Sequence, residues 1–543
     1  MNKTSSINKP FWKNPRVIII ALFSILGIIT GVAGYLKNDG VAFTDALYNT
    51  FQFFLLEHSF KESPNGLIEI ARWLIFIVIL LLSIEIISLI ISEQLKFLKI
   101  RLFYREHIVI CGLTEKSLEI AHKYPDRKRI FIDNDANNPL HRSIRNSNTK
   151  LILGNPASQT ILKLARIHKA KEAFVLTDSD EQNLNIAQII FSLLENEPEK
   201  NVLKCYTLIR DRKLKTLLEE TALFKYKTGN FDGILFNVNE IGVKYGIAMN
   251  IDKILPAEIK ITPEILIVGC TDKAENVILN LAHCLTKQRE MFKFTIAEND
   301  AEQIQRFEKL CKKLHLTDFA EIEFSNLSLE NISTEKTFDS AFVCLEDPIN
   351  ALKQAIDIHY FFGQHAPNIF LLYNDVNSFN IVLQKDLQKK KIFTINLLEQ
   401  IADYVFELNK NIEAKAIEAH CFWNALYQMN TEWEALSGHF KQSNRNQILD
   451  MYVKAYMVHG KNFEEYKNDR VSFSDYEKET LAMMEHRRWM IEKYENGWIA
   501  GERDNELKRH SCLKPWEKLS KEQQAKDYDA INLMIELLNN QKT

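Results

Sequence analysis

"HIVICGLTEKSLEIAHKYPDRKRIFIDND" (His107–Asp135) decides the fold. A short apolar run, a Gly-x-Thr turn, an amphipathic run and a second apolar run ending in acid predict strand, turn, helix, strand. Strands that are apolar on both faces and joined through a helix belong to a parallel sheet, so the stretch opens an α/β unit. The pattern returns in "EILIVGCTDKAENVILNLAH" (Glu264–His283) and "KFTIAEND". "FDSAFVCLEDPINALKQAIDIHY" (Phe338–Tyr360) likewise repeats the strand, acidic turn and helix around "AFVLTDSDEQN". Gly112 and Gly269 stand about 157 residues apart, a period that predicts two tandem copies rather than a short-repeat solenoid.

In the dinucleotide fingerprint G-x-G-x-x-G, glycines let the backbone approach a pyrophosphate and an acid about 20 residues on takes the ribose hydroxyls. Here the positions read Gly112, Thr114 and Ser117, with Asp133 as the acid. A nucleotide site at Gly112, Thr114, Asp133, Gly154 and Asp178 and a purely structural turn both remain open. The second copy, with Gly269, Thr271 and Ala274, is expected to be architectural. In "TDSDEQN", Thr177 and Asp178 are also placed to cap the helix expected near Glu181.

"LILGNPASQTILKLARIHKAKEAFVLTDSDEQNLNIAQII" (Leu151–Ile190) resembles the central part of RCK domains, regulators of potassium conductance, through Gly154, Leu162, Ala165, Ile167, Ala170, Thr177, Asp178, Asp180 and Asn183. It departs from that family at Asn155, usually acidic. The resemblance implies two Rossmann-like RCK units per chain, over 104–250 and 262–405, forming a ring below a membrane.

Two apolar runs precede them. Arg16–Leu36 and Leu67–Ser92 are each long enough to cross roughly 30 Å of hydrocarbon. The first has no cleavage site after it and is read as a retained helix. Lys3, Lys9, Lys13 and Arg16 precede the first run and Lys96, Lys99, Arg101 and Arg105 follow the second, which predicts both termini on the cytoplasmic side of a cell (inner) membrane. Residues 1–15 are then a cytoplasmic N-terminus, 16–92 the membrane part and 93–103 a charged connector. Between the runs, Ala42–Phe60 is apolar but too short to span, and suits a re-entrant segment.

That arrangement, with "TDALYNTFQFF" at the place of a pore helix, resembles the two-helix pore module of potassium-channel-like proteins and implies a homotetramer. The carbonyl filter of that family has no counterpart, because "LLEHSF" stands in its place, so the conducted ion is left open. Glu57 in that stretch and Glu85 in the second run are the candidate pore residues; Glu85 equally suits snorkelling to the headgroups. An interfacial loop in an anchor without a pore is the alternative.

The 543 residues predict three or four domains, and the net charge of −3 sets nucleic acid aside as a partner. Eight Cys, all after the second run and with no C-x-x-C pair, predict reduced, packed thiols and no metal site.

From about Asn411 the sequence turns helical and aromatic, so 411–543 is expected to be an all-α domain. Within it "EHRRWMIEKYENGWIAGERDNELKRHSCLKPW" (Glu485–Trp516) resembles the repeat domain named after ryanodine receptors, over about 475–540. The matching positions are Glu485, His486, Arg488, Trp489, Gly497, Trp498, Gly501, Lys508, His510, Pro515, Trp516 and Asp527. Arg488 and Arg503 are suited to clamp a phosphate or carboxylate, and Trp489 or Trp498 to stack on a base. The candidate ligand residues are therefore Glu485, His486, Arg488, Trp489, Trp498, Arg503, Lys508, His510 and Trp516. The alternative makes the Trp residues core and pairs the Arg residues with Glu485 and Glu492. No nucleophile and base pair is suggested, so no enzyme is expected, and no cofactor is specified.

The combined expectation is a membrane channel or pore gated through RCK-like domains by a nucleotide or other small anionic ligand at the C-terminal module. Domain-level analogy extends this to prokaryotic nucleotide-signalled defence; the rival is a membrane-anchored sensor or scaffold without a pore.

Overall fold

The computed structural model describes residues 15–37, 41–57, 64–144, 148–195, 198, 201–255, 262–325, 336–374, 381–461 and 470–540. The chain divides into two compact units, 1–103 and 104–543.

In the first unit, helices Pro15–Leu36 and Gly66–Phe103 flank a short helix, Phe43–Gln52. Ile18–Leu36 and Gly66–Ile84 are long and apolar enough to cross a membrane. The second helix runs on without a break for 38 residues, so the expected connector is a continuation of it, about 57 Å in all at 1.5 Å per residue. Its Glu85 side chain lies outside the described residues, as do residues 58–60 of the expected filter region. Glu57 is exposed, just after Leu56 turns the chain through a left-handed conformation with φ of 60°.

Three glycines pack this unit, and the hydropathy reading passes over them. A Cβ on Gly27 would meet the Ile75 side chain at 2.9 Å, one on Gly31 would meet Thr50 at 2.5 Å, and one on Gly34 would meet Ile68 at 2.7 Å. Small residues about four apart let helix backbones close on each other where lipid supplies no hydrophobic drive.

The second unit holds two parallel six-stranded sheets. The first has strands β1 His107–Cys111, β2 Arg129–Asp133, β3 Thr149–Leu153, β4 Ala170–Val175, β5 Leu203–Leu208 and β6 Phe231–Phe236, in the order β3-β2-β1-β4-β5-β6. The second has β7 Glu264–Val268, β8 Lys293–Ala297, β9 Glu321–Ser325, β10 Ser340–Val343, β11 Asn368–Tyr373 and β12 Ile392–Asn396, in the order β9-β8-β7-β10-β11-β12. Both are the 3-2-1-4-5-6 arrangement of a doubly wound Rossmann-like fold. The turns match as closely as the topology: Gly112 has φ of 94° and Gly269 of 97°. Each glycine N–H donates to the end of the neighbouring strand, at Ile132 O (2.9 Å) and Ala297 O (3.0 Å). The left-handed backbone is why both copies keep a glycine there.

The copies pack on each other through helices Val238–Met249 and Leu397–Glu407, where Gly242 lies so close to Leu397 that a Cβ would approach it to 2.9 Å. The remainder is helical, with Glu413–Leu426, Gly438–His459, Asp475–Glu495 and Lys521–Asn539. One addition to the expected all-α ending is a parallel ladder of Ile499–Ala500 with Arg509–His510. All eight Cys are free, and Cys421 is exposed rather than packed.

The glycine seam makes a test. Gly31→Val forces overpacking against Thr50 and should cost about 1–3 kcal/mol, whereas Gly66→Ala, with open space around it, should be neutral. Thermal melting of the purified protein in detergent reads the difference.

Candidate functional site

The candidates of the first Rossmann-like unit gather at the C-terminal edge of its sheet, but their polar groups are used internally. Thr114 caps helix Glu115–His122 in a capping box with Ser117, so the amides of Thr114 and Ser117 are both taken by side chains. Asp133 accepts from Asn138 Nδ2 at 2.9 Å and pairs with His141 Nε2 at 3.1 Å. Asp178 pairs with Lys116 at 2.9 Å. A Cβ on Gly154 would sit 2.7 Å from Ile161, so this glycine permits packing. The expected cap by Thr177 or Asp178 is not formed: Ser179 Oγ accepts from Gln182 N, while Thr177 locks to Asn183 Oδ1 through both its N–H and its hydroxyl. In the second unit the turn amide of Cys270 donates to Glu298 Oε2 at 3.2 Å, so a carboxylate already occupies it.

The C-terminal candidates divide into two groups. Glu485, Arg488, His486 and Trp516 are structural. Arg488 donates to both oxygens of Glu485, at 2.8 and 3.0 Å, and to Glu492 at 2.6 Å. Lys454 bonds Glu485 on its other side and Asp450 at 2.7 Å, and Asp450 meets His283 Nε2 at 2.7 Å. His486 lies between Lys514 O (2.9 Å) and Asp527 (3.3 Å), and Trp516 packs on His486 and Tyr528. The expected Arg488–Arg503 phosphate clamp is therefore not assembled: Arg488 is consumed by carboxylates and Arg503 is exposed on the loop. The pairing of Arg488 with Glu485 and Glu492, held open above, is the arrangement found.

Trp489, Trp498, Lys508 and His510 form the second group. His510 stands edge-on to Trp489 at 4.9 Å and to Trp498 at 6.2 Å, and its Nδ1 accepts from Cys512 N. Burial, then Arg503 and Lys493, push its pKa down to about 4, so it is neutral at neutral pH. Lys508 donates to Asn496 O at 3.2 Å. Beside this group opens a cleft of about 520 Å³, between helices Glu413–Leu426 and Gly438–His459 on one side and Asp475–Glu495 on the other. Tyr226, Trp423, Phe440 and Trp489 contribute aromatic rings to its lining, and Arg488 and Lys493 contribute cations. Sequence reasoning missed Trp423, Phe440 and Lys493. The spacing Glu485, Arg488, Trp489, Lys493 puts all four on one helical face and was the available signal for Lys493.

The other faces of helix Asp475–Glu495 meet both Rossmann-like units. Arg212, on helix Arg212–Glu219 of the first unit, bonds Glu495 and also Glu275 of the second unit. Arg487 donates to Ala282 O at 2.7 Å, at the C-terminus of helix Asp272–Leu281, and to Phe319 O. A hollow of about 90 Å³ lies among these elements, and Arg488 and Ser443 line both it and the cleft.

Known families match two parts of this architecture. Residues 108–224 match the TrkA-N domain and residues 473–541 the RyR domain. The chain carries both domains. A comparison with curated proteins finds no match. Among solved structures, the crystal structure of a GsuK point mutant is 14% identical over 72% of this chain and 97% of that chain, with a TM-score of 0.37. GsuK bound to ADP is 14% identical over 73% and 96%, at 0.37. The human SLO3 gating ring is 10% identical over 57% and 84%, at 0.40. The TrkA-N match covers β1 to β5 of the first sheet, and the RyR match covers the helix that forms one cleft wall.

Two measurements probe the buried charges at and beside the RyR domain. Arg488→Ala leaves the buried Glu485 and Glu492 without their shared cation and should destabilise the second unit by about 3–5 kcal/mol, lowering its denaturation midpoint. The His283–Asp450 pair gives a pH signature. Burial disfavours the charged ring, but the Asp450 carboxylate overrides it and raises His283 to about 10. A raised histidine contributes fully below its unfolded value near 6.5 and loses that contribution as pH climbs toward 10. The melting temperature should fall across that window, and His283→Gln should flatten the fall.

Proposed function

We propose that the chain is a ligand-gated ion channel of the cell (inner) membrane, with both termini in the cytoplasm. Its two Rossmann-like units act as the gating element and its RyR domain as the sensor of a nucleotide or other small anionic ligand. Subunits assemble as a homotetramer around a pore formed by the two apolar helices and the short helix between them, with Glu57 and Glu85 near the ion path.

The observation that carries this reading is helix Asp475–Glu495. One face lines the aromatic cleft, and the others grip both Rossmann-like units through Arg212–Glu495 and Arg487. A ligand that prefers one position of this helix biases the arrangement of the two units by its differential affinity and by nothing else. The continuous helix Gly66–Phe103 ends just before β1, so displacement of the first Rossmann-like unit would pull on the same chain segment that crosses the membrane. The ligand is assigned to the cleft rather than to the Gly112 turn because the polar groups of that turn are engaged by Ser117, Asn138, His141 and Lys116.

The test is current across a planar bilayer holding the purified protein, before and after linear and cyclic nucleotides reach the cytosolic face. Current that appears with one ligand class is the expected result. Silence with the whole panel would favour a membrane-anchored sensor without a pore.

A further inference from the structure

Lys493 is the one cation of the cleft lining, among the described residues, whose charge is left over. Arg488, the other cation there, is held by two carboxylates. Lys493 is 8% exposed, yet no carboxylate among the described residues forms an ion pair with it. Its ammonium instead lies over three rings, at 4.7 Å from Trp498, 5.9 Å from Trp489 and 5.9 Å from Phe440. Aromatic faces attract a cation but offer no oxygen acceptor to its three N–H groups. A buried ammonium in that state is stabilised by an incoming oxyanion more than an exposed lysine would be, because its water has already been removed.

The surroundings favour the same charge. Burial, then Arg488, Arg503 and Lys508 against the opposing pull of Glu492, hold the Lys493 ammonium below the ordinary lysine range. Glu485, the carboxylate in the cleft lining, is neutralised by Lys454 and Arg488. Trp423 and Trp489 line the same space, so a flat ring entering the cleft has indole surface available on helices from both of its sides.

We propose that Lys493 anchors the cleft's ligand, and that this ligand is a planar aromatic ring carrying an oxyanion, the chemistry of a nucleoside monophosphate. The oxyanion takes the Lys493 N–H groups and the ring packs on Trp423 or Trp489. This rests on the sensor reading above and names the residue and ligand chemistry that it leaves unspecified.

The experiment is calorimetric titration of the full-length protein in detergent with AMP, adenosine and inorganic phosphate as separate probes. AMP should bind about tenfold or more tightly than either fragment, since only AMP supplies both contacts. Lys493→Met should weaken AMP about tenfold or more while keeping the wild-type melting transition, and Lys493→Arg should restore most of the affinity. Trp423→Ala, a second variant on the opposite wall, should weaken AMP and leave phosphate unchanged. Equal AMP affinity in wild type and a folded Lys493→Met variant overturns the proposal, as does absence of AMP binding to the wild type. Nucleotide-evoked current with unchanged affinity in Lys493→Met would remove this anchor and keep the channel; Lys493-dependent binding in a silent bilayer would do the reverse.

Discussion

A row of buried charges sets the geometry of the second unit: His283, Asp450, Lys454, Glu485, Arg488 and Glu492 alternate in sign from the end of helix Asp272–Leu281, through helix Gly438–His459, to the middle of the RyR helix. Desolvating this many ions is expensive, and well-packed apolar residues of the same volume would hold the helices as firmly. What the charges add is register. Within the row, Lys454–Glu485 is the pair that joins the RyR helix to helix Gly438–His459, and sliding the RyR helix by one turn would part it and leave buried charge on both sides. Arg212 extends the same constraint by pairing with a carboxylate of the second Rossmann-like unit and one of the RyR helix at once.

This constraint explains why the residues that looked most like ligand contacts are not free to be so. A helix carrying Glu485, Arg488 and Glu492 at spacings of three and four satisfies its own charges before any ligand arrives. Lys493, one residue beyond Glu492, falls outside that set and onto the aromatic rings. Among the described residues the cleft therefore joins a neutralised floor to one unpaired cation. The strand-end turns of both Rossmann-like units have amides closed by Ser117, Thr114 and Glu298.

The same division appears in the membrane-type unit. Length and hydropathy mark the two long helices, because crossing hydrocarbon demands an uninterrupted apolar run. They do not mark the contact seam, since Gly27, Gly31 and Gly34 matter through atoms they lack, and only the positions of Ile75, Thr50 and Ile68 reveal it. The charged stretch after Ser92 reads as a connector because its hydropathy changes, yet helical hydrogen bonding does not depend on hydropathy, and the helix simply continues.

By itself the sequence determined the elements whose signals are local and periodic: two apolar helices, two α/β copies with matching glycine turns, a helical end and the RyR-like motif. Period-two and period-3.6 burial is written residue by residue, so neighbouring positions suffice to read it. Tertiary structure alone decided which charges cancel and which aromatic rings meet. Trp423 and Phe440 lie some 50 to 70 residues from Lys493 along the chain and on other helices, and Asp450 finds His283 across 167 residues. Pairings at that separation depend on how helices dock, and a side chain's chemistry in isolation gives no hint of whether its charge will be spent on a neighbour or kept for a ligand.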